Sequence, residues 1–221
     1  MSKKLIVFGS GEIAEVVAFY FEHDAGRKVS GFVVDDEFLE RSLFCNKPIV
    51  GTSSVASIFN PETHDAFVAI GYSGLNFLRE SKCNELGEMG YSLISFVSRD
   101  ACIAPNAQIG SNCLILEHNT VQPFSVVGDN TFLWSGNHVG HHAQIGSNVF
   151  ISSHCVVSGG VSIGNNSFLG VNSTVSDHIT IGREVVIGAG SLVLGDVADG
   201  GVVLGHRSRV SPISSRSLPN F

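Results

Sequence analysis

The chain has 221 residues, of which 43% are hydrophobic and 15% charged, so it is long and apolar enough for two small globular domains and is not disordered. The net charge of −7 argues against a nucleic acid partner. A short strand at residues 5–8 follows the first residues directly, so neither a secretory signal nor a membrane span is expected. The five cysteines form no CxxC pair, which is typical of reduced thiols in a cytoplasmic protein.

The first 98 residues predict a small α/β domain. Strands are expected at residues 4–8, 29–34, 66–70 and 91–96, with helices up to about residue 21 and over about residues 75–89. Strands that alternate with helices indicate a parallel sheet with right-handed crossovers. The domain is therefore predicted to be Rossmann-like, with the length of half a dinucleotide-binding fold.

A nucleotide site is predicted where the first two strands of this domain end. Gly9 and Gly11 form a turn that lets a phosphate approach the backbone at a helix N-terminus. Asp35 and Asp36 end the second strand, where carboxylates can accept hydrogen bonds from ribose hydroxyls or a base. The short domain favours a mononucleotide over NAD. A tight turn without a ligand and a solvated strand end are the alternative interpretations.

The second part, residues 99–221, contains an internal repeat. Every sixth residue from 103 to 193 is Ile, Leu or Val, a period that no ordinary helix or strand has. This is the pattern of a hexapeptide β-helix, in which the aliphatic residue points inward and three hexads close one triangular coil. The sixteen positions are Ile103, Ile109, Ile115, Val121, Val127, Leu133, Val139, Ile145, Ile151, Val157, Ile163, Leu169, Val175, Ile181, Ile187 and Val193.

Two further positions of each hexad show a preference. The residue four places after the aliphatic one is usually small and is expected to point inward, which gives Cys113 and Cys155 a packing role. Glycine often follows the aliphatic residue directly, where turns are expected to need it. The small residues are Ala107, Cys113, Ser125, Thr131, Ala143, Cys155, Ser167, Ser173 and Ser191, and the glycines are Gly110, Gly128, Gly140, Gly146, Gly164, Gly170, Gly182 and Gly188.

Histidines concentrate in the repeat, where seven of the nine lie between residues 118 and 206. The hexad phase places His141 and His142 on the outside, near an edge of the triangular coil. Histidine suits general-base catalysis near neutral pH. Gly159 lies one coil beyond His141, so its backbone N–H is a candidate donor to an oxyanion. The alternative is that His141 is only an exposed edge residue.

Three nearby histidines, His118, His138 and His154, raise the possibility of a metal site. A β-helix carbonic anhydrase needs a third histidine shortly after the second, and no histidine closely follows His154. A catalytic metal is therefore not expected. Contacts with substrate, packing between subunits and plain edge positions are the other interpretations of these three residues.

Basic residues are rare in the repeat and cluster after it. Arg183 is the only one between residues 103 and 193, whereas Arg207, Arg209 and Arg216 lie in the tail. Such a cluster can hold a phosphate at one end of the prism, or it can simply keep the tail soluble. Residues after about 211 are expected to be loose.

The repeat resembles the left-handed β-helix acyltransferases, which typically use acetyl-CoA and work as trimers. The first hundred residues extend the resemblance to the bacterial nucleotide-sugar N-acetyltransferases of the sialic-acid and bacillosamine type. It implies that Gly9, Gly11, Asp35 and Asp36 line the nucleotide pocket. It also implies that the loop Gly71-Tyr72 closes that pocket.

The same resemblance assigns roles at the edge. The segment from His141 and His142 through Ile145-Gly146 resembles the family's catalytic frame, in which a histidine precedes an acidic residue that orients it. It implies that His141 is the base and that Gly159 donates to the acetyl carbonyl. His142 replaces the acidic residue, so the orienting group is expected to be missing or supplied by Asn137, His138 or a neighbouring subunit.

Acetyl-CoA is expected to bind along the coils that follow the catalytic edge. The resemblance implies contacts at His142, Gly159, Gly160, Val175 and Gly188, mostly through backbone groups. Arg209 lies where relatives place a lysine near the CoA 3′-phosphate. Trp134, the only tryptophan, is expected either to wall the sugar pocket or to pack at a subunit interface.

The predicted function is transfer of acetyl from acetyl-CoA to the amine of a nucleotide-linked amino sugar by a cytoplasmic homotrimer in bacterial surface glycan synthesis. Neither a nucleic acid nor a membrane is an expected partner. Three alternatives stay open: an O-acetyltransferase acting on a sugar or sialic acid, a metal-dependent hydratase, and a non-catalytic trimeric scaffold. The sequence leaves the nucleotide base and the position of the amine, C3 or C4, undetermined.

Overall fold

The computed structural model describes residues 3–217 as an α/β part followed by a triangular β-helix. The α/β part forms one sheet of order β3-β4-β2-β1-β5, parallel except between β3 and β4. This arrangement confirms the Rossmann-like prediction. Its strands are β1 Lys4–Phe8, β2 Val29–Val34, β3 Leu43–Phe44, β4 Lys47–Gly51 and β5 His64–Val68, and its helices are α1 Glu12–His23, α2 Val55–Ile58 and α3 Phe77–Glu88, with 3-10 turns at Asp36–Phe38 and Thr52–Ser54.

The end of the α/β part differs from the prediction. Only an isolated parallel bridge between Ala66 and Leu93 forms within the expected strand at residues 91–96. The next strand, Phe96–Val97 (β6), pairs with Leu114–Ile115 and so belongs to the β-helix. The sequence analysis also missed β4, whose Pro48 made a strand hard to recognise.

The β-helix has three faces of stacked two-residue parallel strands. Face A contains β6, Leu114–Ile115 (β9), Phe132–Leu133 (β12), Phe150–Ile151 (β15), Phe168–Leu169 (β18), Val186–Ile187 (β21) and Val202–Val203 (β23). Face B contains Cys102–Ile103 (β7), Thr120–Val121 (β10), His138–Val139 (β13), Val156–Val157 (β16), Thr174–Val175 (β19) and Leu192–Val193 (β22). Face C contains Gln108–Ile109 (β8), Val126–Val127 (β11), Gln144–Ile145 (β14), Ser162–Ile163 (β17) and Thr180–Ile181 (β20).

The aliphatic ladder fills the interior of the β-helix, as the sequence predicted. Fourteen of its sixteen members are buried, and Ile103 and Ile109 in the first coil are partly buried. The small position behaves in the same way, because Cys113 and Cys155 are fully buried among the ladder side chains. Burial of each aliphatic side chain contributes roughly 1.5–3 kcal/mol, so the ladder is the main source of stability in this part.

The glycines that follow the ladder residues have a different cause from the predicted one. They do not adopt left-handed backbone angles; a Cβ on Gly140 would lie 2.6 Å from the Gly159 nitrogen of the next coil. Left-handed angles occur instead three residues after each ladder position from Ile109 to Ile187, for example at Asn130 (φ 56°) and His142 (φ 59°). The glycines therefore permit close stacking of coils, and another position makes the turn.

The two parts of the chain share a hydrophobic core across face A. Leu114, Phe132 and Phe150 project outward from that face and pack with the side chains of β1, α1 and β5. The rings of Phe67 and Phe132 stack with centroids 5.8 Å apart. Face A is therefore covered by the α/β part of the same chain, which fixes the sheet relative to the β-helix.

The longest helices in the described range, α1 and α3, have 12 residues each, and none there is long and apolar enough to cross a bilayer. The chain leaves the prism after β23 and makes a short 3-10 turn at Ser215–Ser217. The last part of the predicted loose tail, residues 218–221, lies outside the described residues.

Candidate active site

The candidate site lies at the vertex between faces B and C, here called vertex BC. There the chain turns through Gly140, His141 and His142 between β13 and β14. Both histidines are exposed and Gly159 of the next coil is buried. A Cβ on Gly159 would lie 2.7 Å from His141 Cε1 and 2.8 Å from its Nε2. The imidazole therefore lies over a space that only glycine leaves open.

The Gly159 amide is not free in this structure. Its N–H donates to the carboxylate Oδ1 of Asp177 at 3.0 Å, one coil further along the same vertex. The predicted oxyanion donor is therefore capped by an exposed carboxylate that the sequence analysis did not consider. The Ser111 N–H donates in the same way to the Asp129 carboxylate, one coil further on. An Asp or Asn 18 residues after a turn residue could therefore have predicted this contact from the sequence.

In this structure the side chain that contacts the His141 ring is His142. Its Nδ1 lies 3.1 Å from His141 Nδ1, and the two rings meet edge to face at 84°. The His142 ring stacks on Phe124 of the preceding coil at 4.8 Å. The identity of the orienting group and the CoA contact at His142 both stay predictions.

The two named substitutes for the orienting group lie elsewhere. Asn137 is buried, donates through Nδ2 to the Trp134 carbonyl and accepts from the Cys155 amide at 2.7 Å. Its substrate contact stays a prediction, and such a contact would have to compete with these backbone partners inside the prism. His138 lies on β13, between the Thr120 and Val156 rows of face B.

The residues predicted to bind the nucleotide gather at the C-terminal edge of the α/β sheet. Gly9 follows β1 with φ +124°, and a Cβ there would lie 2.9 Å from the Ala69 carbonyl oxygen. Gly11 precedes α1, whose N-terminus has no side-chain cap. The glycine turn therefore presents backbone at a helix N-terminus, the feature that suits a phosphate.

The two carboxylates predicted for this site are engaged within the protein. Asp35 forms an ion pair with Lys82 of α3, which also pairs with Glu85. Burial lowers the Lys82 pKa, but its hydrogen bonds to these carboxylates outweigh burial and the net pKa is raised. Asp36 accepts from the Ser53 backbone N–H at 3.2 Å and its hydroxyl at 2.9 Å. A ribose at either carboxylate would have to compete with these partners.

The loop after β5 lies on face A of the β-helix. Tyr72 packs against Phe150 and Phe168, with ring centroids 4.9 and 4.8 Å away, while half of its surface stays exposed. The carbonyl of Gly71 accepts a hydrogen bond from Arg79 at 3.2 Å. The predicted closing loop is therefore attached to the β-helix.

The sequence analysis missed Arg79, which is fully buried between α3 and the β-helix. It donates to Asn130 Oδ1 at 2.9 Å and to Asn76 Oδ1 at 2.9 Å, and it stacks on Phe132 at 4.1 Å. Burial lowers its pKa to about 10. Its position in the sequence of an ordinary helix gave no sign of this, because the contacts form only when the two parts dock.

Trp134 walls a cavity of about 480 Å³ between α1 and the vertex that joins faces A and B, here called vertex AB. Glu12, Glu15 and Phe19 of α1 form the opposite side. The buried indole Nε1 has no hydrogen-bond partner within residues 3–217. Trp134 is thus placed to line a pocket, as one of its two predicted roles requires.

A polar cluster closes this cavity at the side of α1. Tyr20 donates to Glu117 at 2.7 Å, and Ser135 donates to the other carboxylate oxygen at 2.6 Å. Burial and then the bond to Glu117 raise the Tyr20 pKa to about 12. The Glu117 pKa is lowered: burial acts upward, and the bonds from Ser135 and Tyr20 outweigh it.

The residues predicted to bind acetyl-CoA are spread along vertex BC and beyond it. Gly160 has φ +67°, and His178 lies where a Cβ on it would be. The Val175 side chain is buried and its carbonyl accepts from the Ser158 N–H, so its contact with CoA stays a prediction. Gly188 precedes the AB vertex near the end of the prism, and Arg209 is exposed in the tail.

The histidines of the repeat are distributed over two vertices and one face. His118 and His154 lie at vertex AB with Gly136 between them, and His154 Nδ1 lies 2.5 Å from where a Gly136 Cβ would be. Within residues 3–217, His, Cys, Asp and Glu side chains form no group of three that could hold a metal ion.

Comparison with known proteins agrees with this architecture. The family model of bacterial transferase hexapeptide repeats (six repeats) matches residues 124–159 and 160–195. No curated protein matches the chain significantly in sequence. The acetyltransferase domain of PglB from Neisseria gonorrhoeae FA1090, solved also with acetyl coenzyme A, has 28% identity and a TM-score of 0.82, covering 93% of this chain and 97% of that one.

Two further structures are similar over nearly the whole chain. PerB from Caulobacter crescentus, in complex with CoA and GDP-perosamine, has 26% identity and a TM-score of 0.82, covering 91% of this chain and 94% of that one. WeeI from Acinetobacter baumannii AYE has 18% identity and a TM-score of 0.78, covering 92% and 97%, and so supports the fold alone. Residues 124–195 therefore carry the bacterial transferase hexapeptide repeat, and the chain is similar over nearly its whole length to left-handed β-helix acetyltransferases that act on amino sugars.

Proposed function

We propose that the chain transfers an acetyl group from acetyl-CoA to the amino group of a nucleotide-linked 3- or 4-amino deoxysugar. The observation that carries this proposal is the agreement of two features. The whole chain is similar to an acetyltransferase whose structure holds CoA and GDP-perosamine. Its own vertex BC places an exposed histidine over a glycine. The nucleotide is a UDP, dTDP or GDP group.

The reaction is direct and needs no covalent enzyme intermediate. The neutral amine attacks the thioester carbonyl carbon, so that a C–N bond forms while the amine proton passes to His141 Nε2. Collapse of the tetrahedral intermediate breaks the C–S bond. The proton then passes from His141 to the CoA sulfur, which leaves an N-acetyl sugar and free CoA thiol. Binding both substrates at one vertex supplies proximity.

Stabilisation of the oxyanion falls to the Gly159 amide in this proposal. The developing negative charge on the acetyl oxygen is a better acceptor for this N–H when solvent is excluded. Because Asp177 occupies the amide in the structure without ligands, the thioester carbonyl has to displace the carboxylate. The role of Gly160, Gly188 and Arg209 is to hold the remainder of CoA along the same end of the prism.

The acceptor binds on the α/β side in this proposal. Gly9, Gly11, Gly71 and Tyr72 surround the nucleotide, and the sugar extends toward the cavity beside Trp134. Within one subunit this cavity and His141 lie at opposite ends of face B. A homotrimer, in which vertex BC of one subunit meets the acceptor site of its neighbour, brings them together. The enzyme is cytoplasmic, and its product enters a bacterial surface glycan.

Thiol release from acetyl-CoA, measured with a panel of UDP-, dTDP- and GDP-linked 3- and 4-amino sugars and checked by product mass, tests the proposal. Turnover with one amino sugar that depends on His141 would establish the donor, the acceptor and the base. Binding of acetyl-CoA without turnover of any amine would favour an O-acetyltransferase. A second panel, of hydroxyl acceptors, would then identify its substrate. Bound zinc would indicate a hydratase, and failure to bind CoA or nucleotides would favour a scaffold.

A further inference from the structure

We propose that His142 is the positioning residue for the catalytic base, replacing the carboxylate that orients the histidine in similar enzymes, and that it does so as a neutral hydrogen-bond acceptor. The inference rests on the proposed function, because it assigns His142 a part in that reaction. It starts from the contact between His141 Nδ1 and His142 Nδ1 at 3.1 Å.

One proton at most can lie between two Nδ1 atoms, so the contact couples the tautomers of the two rings. If His141 Nδ1–H donates to His142, the Nε2 of His141 is bare and can accept a proton from the amine. If His142 donates instead, a neutral His141 carries its proton on Nε2 and cannot act as base. The first arrangement is the competent one, and it requires His142 to carry its own proton on Nε2.

The chain holds the His142 ring firmly in the position that this requires. Its backbone has φ 59°, and its N–H donates to the Pro123 carbonyl at 3.1 Å. Its ring stacks on Phe124, which occupies the left-handed position of the preceding coil with φ 66°. Left-handed angles are unfavourable for a bulky residue such as phenylalanine. Two aromatic residues aligned at consecutive left-handed positions therefore fix the orientation of the acceptor nitrogen.

The base is held from its other sides as well. The His141 backbone N–H donates to Gln122 Oε1 at 2.9 Å, and its ring lies over Gly159. The other titratable groups at this vertex, Asp177 and His178, belong to the coil beyond Gly159 and Gly160. His142 is thus the side chain that contacts His141 Nδ1, and the ring nitrogen opposite faces the glycine gap.

The pair acts during the reaction because its hydrogen bond strengthens when His141 takes up a proton. The bond between neutral rings has an ordinary net strength, equivalent to roughly a 2- to 13-fold change in an equilibrium constant. Once His141 is an imidazolium, its Nδ1–H donates as a charged group, and the factor rises to roughly 13- to 160-fold. Only the increase between the two states is lost from kcat when the acceptor is removed, so kcat should fall by about 5- to 15-fold.

Four variants of the full-length enzyme test this positioning role. His142→Ala should lower kcat by about 5- to 15-fold and leave the KM of both substrates within about twofold. His142→Gln and His142→Glu, which keep an acceptor, should recover most of the loss. Glu184→Gln replaces an exposed side chain at the equivalent left-handed position between faces C and A (φ 57°) and should change kcat by less than about twofold.

A second measurement separates this inference from the proposed reaction, because it needs no substrate. Histidine-selective ¹⁵N NMR of the unliganded protein, at a pH where both rings are neutral, reports which ring nitrogens carry protons. Wild type should show His141 protonated on Nδ1, and His142→Ala should return it to the Nε2–H form. His141 already in the Nε2–H form in wild type, or unchanged kcat in His142→Ala, would overturn the proposal. The expected tautomers in an enzyme without acetyl transfer would instead refute the proposed function alone.

Discussion

Two vertices of the same prism have the same backbone turn but different side chains at its left-handed position. At the vertex between faces C and A, here called vertex CA, the left-handed positions are Glu184, which is exposed, and Asn112, Asn130, Asn148 and Asn166, which are all buried. The asparagine side chains form a ladder, with Asn112 and Asn130 each donating to the next amide oxygen at 2.8 Å. At vertex BC the corresponding positions are Phe124, His142, Gly160 and His178.

Asparagine tolerates left-handed angles well and can satisfy its own polar atoms in a ladder. Vertex CA uses this property for stability, and the α/β part docks on it through Arg79. Vertex BC gives up the ladder and gains exposed imidazoles over a glycine gap. The difference teaches that one backbone repeat can form a buried docking surface or an exposed edge lined by histidines, according to the side chains at a single hexad position.

The largest expected effect is a loss of activity without a loss of stability, on substitution at vertex BC. His141→Ala should reduce kcat by about 10²- to 10⁴-fold, because it removes the general base. Its stability should stay close to wild type, since the side chain is exposed. Steady-state kinetics at saturating acetyl-CoA, with urea unfolding as the control, measure both. A loss within threefold would show that vertex BC does not supply the base.

The second prediction is the converse, a loss of stability with little change in kcat, on substitution at vertex CA. Arg79→Met puts an apolar side chain at this site and leaves the Asn76 amide oxygen and the Asn130 backbone carbonyl without their buried donor. We expect the free energy of unfolding to fall by about 2–4 kcal/mol, because each orphaned buried acceptor is costly. Because Arg79 also holds the Gly71 carbonyl, the KM of the nucleotide sugar should rise while kcat changes little.

Urea unfolding and steady-state kinetics measure these two effects. Arg99→Met is the matched control, since that guanidinium is 74% exposed and pairs with Asp24 at the surface. It should change stability by less than about 1 kcal/mol. If Arg79→Met were as mild, docking on vertex CA would not depend on the buried cation.

The glycine gap can be closed without touching the histidine. Gly159→Ala would place a methyl group 2.7 Å from His141 Cε1, so the ring has to move. A displacement approaching 1 Å can cost about 10²-fold in rate, so we expect kcat to fall about 10- to 100-fold. Gly195→Ala, two coils further along the same column and with open space around it, is the control. Equal activity of the two variants would mean that the base does not lie over Gly159 during catalysis.

These contrasts also show where the sequence was sufficient. The buried ladder from Ile115 to Val193 follows from one side-chain property repeated at a fixed interval, so the fold and its inward faces were predictable. The outward position of His141 followed from the same phase. The asparagine ladder has an interval of 18 residues, one full coil, and was readable in the same way once three hexads are known to close a coil.

Other contacts were not predictable, because they depend on how separate elements dock. Arg79 lies in an ordinary helical segment, and only the approach of α3 to vertex CA gives it its partners. The pairing of His142 with His141 depends on ring orientation, which Phe124 determines from another coil. Asp35 and Asp36 were correctly placed at a strand end, but their partners, Lys82 and Ser53, come from distant segments.

The smallest expected effect concerns the carboxylate that caps the Gly159 amide. Asp177→Ala frees the N–H that the thioester oxygen needs, so the KM of acetyl-CoA should fall roughly threefold, the value of an exposed hydrogen bond. kcat should stay unchanged, because the transition state already uses the free amide. Initial rates at varied acetyl-CoA measure both constants.

Asp177→Asn is the matched variant for this contact, since its amide oxygen can still accept from Gly159 without a charge. Its KM should lie between those of wild type and Asp177→Ala. A kcat that fell more than about tenfold in both variants would point to a different role, in which the carboxylate takes part in the chemistry, since general-base or general-acid contributions start near 10²-fold. In that case the Asp177 carboxylate, and not the Gly159 amide, would be the group at vertex BC that takes part in the reaction.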